Sequence, residues 1–390
     1  MAIDNKDKKV LNVPHLRFPE FTEEWERTTV GNIGNIKNGP FGSVLHAEDY
    51  VEDGIPIVTT EHFKTGLMPS DKFGIPQVSN EDYIRLKGFR LETNDIVFSR
   101  VGSVDINAHV GIEQNGWLFS GRVLRVRPKQ TVDSLFLHYA LSTEAVKRDI
   151  CNRAVGQTMP SINTPILSST IIRLPKGIFE QKKVAHFLRL LDERITTQNK
   201  IIEKYESLIK GIRNEIFGKL RKSIGFNAIV GDVLQYEQPQ SYIVEDTEYT
   251  NEGTPVLTAN KAFVLGYTSD VDGIYDKGNC IIFDDFTLDC KYVDFPFKVK
   301  SSAIKILTAK SNELLRYVYE FLKYLDLSTE EHKRHYIAET QNQGFILPST
   351  KTIKMVSHTF SALSLRLSST VQLRNKYEAQ KYHLLRQMFI

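Results

Sequence analysis

The stretch FEQKKVAHFLRLLDERITTQNKIIEKYESLIKGIRNEIF, residues 179–217, decides the fold of this chain. Its apolar side chains recur in alternating steps of four and three residues, and only Gln198 interrupts the series. The apolar positions are Val184, Leu188, Leu191, Ile195, Ile202, Tyr205, Ile209, Ile212 and Ile216. A repeat of about 3.5 residues places these side chains along one side of a helix, where they can pack against a partner helix by knobs-into-holes contacts. An ordinary buried helix face shows similar spacing, but a rod of about 57 Å is longer than a compact domain usually needs. We therefore interpret the stretch as one strand of a coiled coil.

The C-terminal residues predict a second helix of the same kind. KYE at 376–378 aligns with KYE at 204–206, and at the same offset MF at 388–389 aligns with IF at 216–217. The alignment extends back to Val356, Phe360, Leu363 and Leu367. Arg374 and Lys381 stand at two positions of the apolar series, where their charged ends either reach outward to water or loosen the pairing.

Composition places the chain among ordinary globular proteins. It has 390 residues, 41% hydrophobic and 25% charged, which allows two or three domains. Residues 1–10 are polar and charged, and residues 1–14 are expected to form a flexible tail without a signal peptide. No apolar run reaches the roughly 18 residues that a membrane helix needs, so a cytoplasmic location is expected. Cys151, Cys280 and Cys290 lack metal-ligand spacing and are expected to be free thiols.

The formal net charge of +3 is distributed unevenly along the chain. It is +1 for residues 1–14, −2 for 15–175, +6 for 176–222, −8 for 223–350 and +6 for 351–390. Both predicted long helices are therefore basic. They either expose solvated lysines and arginines or contact a polyanion or an acidic partner. The acidic segment 223–350 argues against indiscriminate binding to nucleic acid.

Between the tail and the first long helix, short runs of β-branched residues alternate with turn signals. IPIVTT at 55–60, DIVFS at 95–99 and RVLRVR at 122–127 are predicted strands. In the last run, apolar residues alternate with Arg125 and Arg127, which predicts one face in the core and one face that presents guanidinium groups. Helical spacing over 133–151, a polar loop over 156–163 and a strand near 171–174 follow.

The same order of motifs starts again after the first long helix. GDV at 231–233 aligns with GNI at 31–33, and GTPVLT at 253–258 aligns with GIPIVT at 54–59. A helix over 311–325, with Ser311 as its N-cap, corresponds to the helix after Asp133. We predict an α+β fold in which two globular domains in tandem repeat are separated by two long antiparallel coiled-coil helices, with one domain at each end. The predicted segments are a tail at 1–14, domains at 15–175 and 223–350, a central helix at 176–222 and a C-terminal helix at 351–390.

The sequence lacks the common catalytic and nucleotide-binding motifs. It contains no G-x-G-x-x-G, no G-x-x-x-x-G-K-[ST], no H-E-x-x-H and no adenine-methyltransferase motif of Asn or Asp, two prolines and an aromatic residue. A cluster of three carboxylates, Asp284, Asp285 and Asp289, is followed by Lys291 and resembles part of a metal-dependent nuclease core, but an acidic strand end is the better interpretation. No histidine pairs convincingly with a nucleophile.

Polar, aromatic and basic side chains remain on loops beside the strands, as readout of base edges requires. Ordinary loop residues would show the same types. In the first domain the candidates for DNA contacts are Ser99, Arg100, Ser103, Asn107, His109, Arg122 and Gln157. In the second domain they are Asn260, Lys261, Phe286, Thr287, Lys291, Tyr292 and Lys298.

Several motifs together resemble the specificity, or DNA-recognition, subunits of Type I restriction-modification systems. They are LRFPEF at 16–21 with Trp25, DIVFSRVGS at 95–103, and Pro175 followed by EQKK at 180–183. The likeness covers nearly the whole chain. It departs from the family at the start of the second long helix, where LPSTKTIK at 347–354 replaces a second Glu-Gln-Lys motif.

The resemblance implies that residues 15–175 and 223–350 are two target-recognition domains, each of which reads one half of a bipartite site in double-stranded DNA. The length of the helices would set the gap between the halves. The family also implies that two modification (methyltransferase) subunits dock along the helices and that restriction (endonuclease) subunits join them. S-adenosylmethionine, ATP and Mg are then expected on those partners, and no cofactor or metal is expected on this chain. Candidate partner contacts are Lys182, Lys183, Arg189 and Arg194.

The leading hypothesis is therefore a non-catalytic DNA-binding subunit. A coiled-coil scaffold whose two acidic domains bind other proteins is the alternative. A stand-alone nuclease that uses Asp285 and Lys291 is a third hypothesis, and it predicts magnesium-dependent cutting by the isolated chain.

Overall fold

The computed structural model describes residues 12–40, 49–246, 248–259, 262–329 and 334–390. It divides into two compact units. Unit 1 comprises Met1–Thr196 and Asn375–Ile390, and unit 2 comprises Thr197–Arg374. Each boundary falls inside a long helix, so each unit contains a part of both helices. The five segments proposed from the sequence stay a prediction.

Unit 1 combines short helices with short strands. Its helices are α1 (Val30–Ile33), α2 (Asn80–Arg85), α3 (Ser134–Leu141), α4 (Glu144–Arg153), α5 (Thr164–Ser168) and the beginning of α6 (Ile178–Ser223). Its strands are β1 (Glu26–Thr29), β2 (Gly34–Asn38), β3 (Tyr50–Val51), β4 (Ile55–Val58), β5 (Gln77–Val78), β6 (Ile96–Ser99), β7 (Asn107–His109), β8 (Leu118–Phe119), β9 (Val123–Pro128) and β10 (Ile171–Leu174).

Unit 2 contains the end of α6, α7 (Asn312–Leu325) and most of α8 (Thr350–Met388). Its strands are β11 (Ala228–Ile229), β12 (Gln235–Glu237), β13 (Thr254–Leu257), β14 (Val264–Thr268), β15 (Cys280–Asp284), β16 (Cys290–Val293), β17 (Lys298–Val299), β18 (Ile304–Thr308) and β19 (Gly344–Phe345).

The two units share one sheet topology, which confirms the predicted tandem repeat. Unit 1 contains an antiparallel sheet of order β2-β9-β6-β7, and unit 2 contains one of order β12-β18-β15-β16. In unit 1 a second sheet joins β4 to β8 in parallel, and in unit 2 β13 pairs with β17 in the same sense. Each unit also has a two-stranded ribbon, β1-β10 and β11-β19. The alternating apolar runs thus build the same α+β scaffold twice.

Each unit has its own apolar core. In unit 1 Trp25 of the N-terminal segment packs against Phe136 of α3 and Phe389 near the C-terminus, with ring centroids 5.6 and 6.1 Å apart. Leu188 of α6 belongs to the same cluster. In unit 2 Phe217 of α6 packs against aromatic residues of α7, and Val356 and Phe360 of α8 complete the cluster. The seam residues of both long helices therefore bury their side chains in the globular cores as well as against each other.

The predicted coiled-coil helices are present, and contacts inside unit 1 show that they run antiparallel. Lys381 Nζ of α8 lies 2.5 Å from Asp192 Oδ1 of α6, and Arg194 Nη1 donates to the Tyr377 hydroxyl at 3.3 Å. From the first contact to the second, the residue number rises from 192 to 194 on α6 and falls from 381 to 377 on α8, as it does in antiparallel helices. Lys381, which occupies a seam position, thus places its ammonium group on a carboxylate at the edge of the seam.

Two predictions from local pattern need correction. The helical spacing over 133–151 forms two helices, α3 and α4, because the hydroxyls of Ser142 and Thr143 donate to the His138 and Ala140 carbonyls and end the first one. The prediction that Arg125 and Arg127 face outward is wrong. Arg125 is only 6% exposed and donates from Nη2 to Asn35 Oδ1, while Arg127 donates to Asp95. Both faces of this sheet are covered, so alternation does not separate core from solvent.

The cysteines and the helices agree with the sequence predictions. Cys151, Cys280 and Cys290 are free thiols, and the last two are buried. Within the described ranges, every helix is too short or too polar to cross a membrane. The predicted tail, up to residue 11, lies outside the described residues.

Candidate nucleic-acid interface

Arg100 and Arg122 lie side by side in unit 1, where β6 ends and β9 begins. β6 and β9 pair in a register that places Ser99 opposite Val123. The Arg100 amide donates to the Arg122 carbonyl at 2.9 Å, and Arg100 Nη1 donates to the Gly121 carbonyl at 3.0 Å. Among the described residues, the buried Nε of Arg100 has no hydrogen-bond partner. The two guanidinium groups therefore share one small region of surface.

This region is a cavity of about 470 Å³, which we call the arginine recess. Hydroxyl groups and a carboxylate accompany the two arginines at its wall. The lining residues with polar side chains are Tyr50, Thr59, Thr60, Glu61, Arg100, Ser120 and Arg122. The recess offers forked donors and several hydroxyls in one place, which is the set of groups that binds the edge of a base or a phosphate.

The backbone around the recess is tightly packed. Gly39 donates its amide to the Val123 carbonyl, and a Cβ atom at this position would lie 1.9 Å from the Ser120 carbonyl oxygen. Only glycine lets the two segments approach so closely. His62, which follows the lining residues Thr59, Thr60 and Glu61, accepts a hydrogen bond at Nδ1 from the Thr59 amide at 3.0 Å, and burial lowers the His62 pKa.

Ser103 and Gln157 lie on two loops that are held together beside the recess. The Gly102 amide donates to the Pro160 carbonyl at 2.8 Å, and the Ile162 amide donates to the Arg100 carbonyl at 2.9 Å. Both predicted side chains are exposed. Arg100, Ser103, Arg122 and Gln157 are thus brought to neighbouring loops by the fold.

The other three candidates of unit 1 point into the protein. Asn107 accepts from His138 Nδ1 at 2.7 Å and donates to the Ser142 hydroxyl at 3.1 Å. His109 Nε2 lies 2.8 Å from the Ser134 hydroxyl, and Ser99 is buried. Asn107 and His109 tie β7 to the helix that packs on it, so they support the sheet from within.

In unit 2 an acidic residue occupies the place of Arg100. The Asp285 amide donates to the Ala303 carbonyl at 2.9 Å, as the Arg100 amide does to Arg122 in unit 1. The Asp285 carboxylate is buried, lies 3.3 Å from Lys305 Nζ and accepts from the backbone amides of residues 335 and 336. Unit 2 therefore has no arginine pair at this position.

The remaining candidates of unit 2 are spread over several elements. Phe286 and Thr287 are exposed on the turn after β15, where Asp284 Oδ1 accepts from both amides. Lys291 and Tyr292 are half-buried on β16, and Tyr292 packs against the Arg316 guanidinium. Lys298 is buried and binds Asp270 at 3.0 Å. Asn260 and Lys261 lie outside the described residues.

The carboxylates considered for a nuclease site have structural roles. Asp284 caps the turn after β15, Asp285 forms the buried pair with Lys305, and Asp289 binds Lys323 at 3.1 Å. In the part of the chain that the structure describes, no group of three or more His, Cys, Asp or Glu residues is arranged to hold a metal ion.

The first turns of α6 hold the helix to unit 1. Glu180 accepts from Arg17 at 2.7 and 2.8 Å and from the Trp25 indole at 3.0 Å, while Gln181 accepts from the Asp133 amide at 2.8 Å. These contacts explain the Glu-Gln pair and the role of the N-terminal aromatic segment. α8 begins differently, with Ser349 accepting from the Thr352 amide.

The four candidate partner contacts on α6 are exposed. Lys183 binds Glu20 and lies 4.6 Å from the centre of the Phe18 ring, so it also holds the N-terminal segment. Arg189 lies 3.4 Å from Glu193, and Arg194 contacts Tyr377. Lys182 presents its side chain to solvent.

The sequence prediction missed the hydroxyl groups of the recess. The strand predicted over 55–60 ends at Val58, so Thr59 and Thr60 follow it, and Ser120 directly precedes the turn that carries Arg122. The sequence feature that could have indicated these hydroxyl groups is the pair of threonines at the end of an apolar run, followed by Glu61.

Comparison with known proteins shows which proteins the chain is similar to. Residues 22–207 match the model of the Type I restriction modification DNA specificity domain. The chain is 38% identical over 164 residues to the specificity subunit of the Type I restriction enzyme EcoR124I/EcoR124II of Escherichia coli, a match that covers 38% of this chain and 41% of the relative. It is 30% identical over 220 residues to a putative Type I restriction enzyme MjaX specificity subunit of Methanocaldococcus jannaschii, covering 54% of this chain and 49% of the relative.

The fold is also similar to a solved structure. The crystal structure of a Type-I restriction-modification system S subunit from M. genitalium aligns with 97% of this chain and 99% of its own length, with a TM-score of 0.66 and 16% identity. The matches to the curated relatives span about half of the length of those proteins. Residues 22–207 are thus similar to the Type I restriction modification DNA specificity domain, and the chain as a whole shares its fold with the M. genitalium S subunit.

Proposed function

We propose that this chain is the DNA-recognition subunit of a Type I restriction-modification complex and that it reads a bipartite target, one half with each unit. The observation that carries the proposal is the repeated sheet topology, in which two units of the same architecture each have their own core. Two similar units in one chain are suited to two half-sites in one duplex, as two copies of a dimeric DNA-binding protein are.

The two units would recognise DNA through different side chains. Unit 1 offers the arginine recess, whereas unit 2 has the buried Asp285 at the corresponding position. Exposed lysines and arginines of the long helices would contact phosphates and set the register, and the loops would supply sequence readout.

The long helices would act as a spacer. α6 contains 46 residues, which at about 1.5 Å per residue correspond to a rod of about 69 Å. One turn of DNA is about 34–36 Å. We propose that the length of α6 and α8 sets the number of base pairs between the two half-sites.

The catalytic work would belong to other subunits. We propose that modification subunits dock along the exposed basic side chains of α6 and supply S-adenosylmethionine-dependent methylation of adenine. Restriction subunits would add ATP- and Mg-dependent cleavage. This chain would then select the site, in the cytoplasm, without performing a reaction itself.

A binding experiment tests the proposal. The chain purified with its modification subunit should bind one bipartite sequence with a fixed gap in a gel-shift assay, and its affinity should fall steeply with salt concentration. Equal affinity for any duplex, without a preferred gap, would contradict the proposal. Protein binding without DNA binding would favour the scaffold alternative.

A further inference from the structure

The arginine recess differs between the two halves of the repeat, and this difference bears on the bases that each unit reads. At equivalent positions of the two sheets, unit 1 has Arg100 opposite Arg122, and unit 2 has Asp285 opposite Ala303. The equivalence rests on matching amide-to-carbonyl hydrogen bonds, each 2.9 Å long. A forked cationic donor is therefore present at this point of unit 1, and a buried carboxylate is present in unit 2.

The two arginines of the recess are held in different ways. Arg100 is anchored through Nη1 to the Gly121 carbonyl, so it fixes the turn that leads into β9. Arg122 is exposed on that same turn, and its own amide donates to the Ser120 hydroxyl at 3.4 Å. Arg122 can thus extend its guanidinium toward a ligand while Arg100 holds the backbone beneath it.

The chemistry of a guanidinium group selects among the bases. Its parallel N–H donors match O6 and N7 of guanine in the major groove, whereas adenine presents a donor and an acceptor at the corresponding edge. Thr59, Thr60 and Ser120 line the recess and can donate to neighbouring acceptors on bases or phosphates.

We infer that Arg122 reads a guanine in the half-site bound by unit 1, that Arg100 is its positioning residue, and that unit 2 has no corresponding guanine contact. This inference rests on the proposed function, since it names the base that one unit of the same interface selects.

The test replaces one atom of the DNA and one side chain of the protein. Mapping of methylated adenines first defines the target of the complex with its modification subunit, and exchange of unit 1 shows which half-site that unit reads. Each guanine of this half-site is then replaced in turn by 7-deazaguanine, which keeps base pairing but lacks the N7 acceptor. Affinities are measured for the wild-type complex and for complexes with Arg122→Ala or Lys129→Ala. Lys129→Ala is the control, because it also removes an exposed cation but lies directly after the C-terminal end of β9, whereas Arg122 directly precedes β9.

At one position 7-deazaguanine should weaken the wild-type complex about tenfold. The Arg122→Ala complex should bind both duplexes equally, and Lys129→Ala should keep the wild-type sensitivity. Arg100→Lys should reduce the sensitivity less than Arg100→Ala, because a lysine can still donate to the Gly121 carbonyl.

The inference is overturned if the half-site of unit 1 contains no guanine, or if 7-deazaguanine weakens the wild-type and Arg122→Ala complexes equally. A complex with a clear bipartite target but without this coupling refutes only the inference. A complex without any bipartite target refutes the proposed function.

Discussion

Glu180 carries much of the connection between the N-terminal segment and the first long helix. Glu180 is 4% exposed, and its carboxylate accepts hydrogen bonds from Arg17 and from the Trp25 indole. Removal of one partner from a buried ion pair leaves the other charge without compensation, which usually costs several kcal/mol. The Glu-Gln motif therefore anchors α6 to unit 1, in addition to any role it has in docking.

Replacement of Glu180 should destabilise unit 1 selectively. We expect Glu180→Ala to lower its free energy of unfolding by about 3 kcal/mol, and the exposed Glu193→Ala by less than about 0.5 kcal/mol. Tryptophan fluorescence during urea unfolding measures the effect, because the two tryptophans of the chain, Trp25 and Trp117, both lie in unit 1. Equal unfolding midpoints for wild type and Glu180→Ala would contradict this assignment.

His138 should make the stability of unit 1 depend on pH. Its burial, with Lys381 nearby, lowers the His138 pKa to about 3, whereas an unfolded histidine has a pKa of about 6.5. Above pH 6.5 both states are neutral and the effect is absent. As the pH falls from about 6.5 toward 3, the unfolded chain binds a proton that the folded chain excludes, so the free energy of unfolding decreases by up to about 1.4 kcal/mol per pH unit.

The variant His138→Asn should have a shallower pH dependence between pH 5 and 6.5, measured by the same fluorescence assay. Some dependence should remain, because burial also lowers the pKa of His109. An unchanged slope in the variant would show that His138 does not carry the effect.

At the scale of elements, the long helices and the order of strands were predictable from sequence, and the recess was not. The apolar series that begins at Val184 is local and repeats at the C-terminus, so periodicity alone reveals both helices. Thr59, Arg100 and Arg122 come from three separate segments and meet only through strand register. The burial of Arg125 was not predictable from local sequence either, because it depends on the layer that covers the far face of the sheet.

Phe217 links α6 to α7 in the core of unit 2. It is fully buried and packs against Phe321 with ring centroids 5.6 Å apart. Phe217→Ala should reduce the stability of unit 2 by about 3–5 kcal/mol, whereas the exposed Met355→Ala on α8 should have little effect. Hydrogen exchange of peptides from β15 and β18 measures the change, and unaltered exchange in Phe217→Ala would argue against a shared core.

At the scale of the whole molecule, unit 1 is discontinuous in sequence, and this determines which residues an exchange of unit 1 must include. Leu384 and Met388 of α8, and Phe389 directly after it, belong to the same core as Trp25 and Phe136. An exchange of residues 15–175 alone would therefore place a foreign domain against native C-terminal residues.

An exchange that also includes residues 176–196 and 375–390, and so replaces the rest of unit 1, should yield a stable chain in which only one half of the DNA target changes. We expect exchange of 15–175 alone to lower the melting temperature because of the mismatched core. Methylation mapping and thermal denaturation of the two chimaeras test both statements. A change in both half-sites would contradict the assignment of one half to each unit.

The spacer role of the helices is the central claim, and a lengthened chain tests it most directly. Seven residues inserted into each helix, after Thr196 and after Arg374, preserve the heptad register and add about 10 Å of rise. Methylated adenines would be mapped in cells that contain the modification subunit with the wild-type chain, with the lengthened chain or with neither. We expect the targets of the wild-type and the lengthened chain to contain the same two half-sites. The gap between the half-sites should be about three base pairs longer in the target of the lengthened chain. Cells that contain neither chain should show no such methylation. An unchanged gap, or methylation at a continuous sequence, would contradict the account.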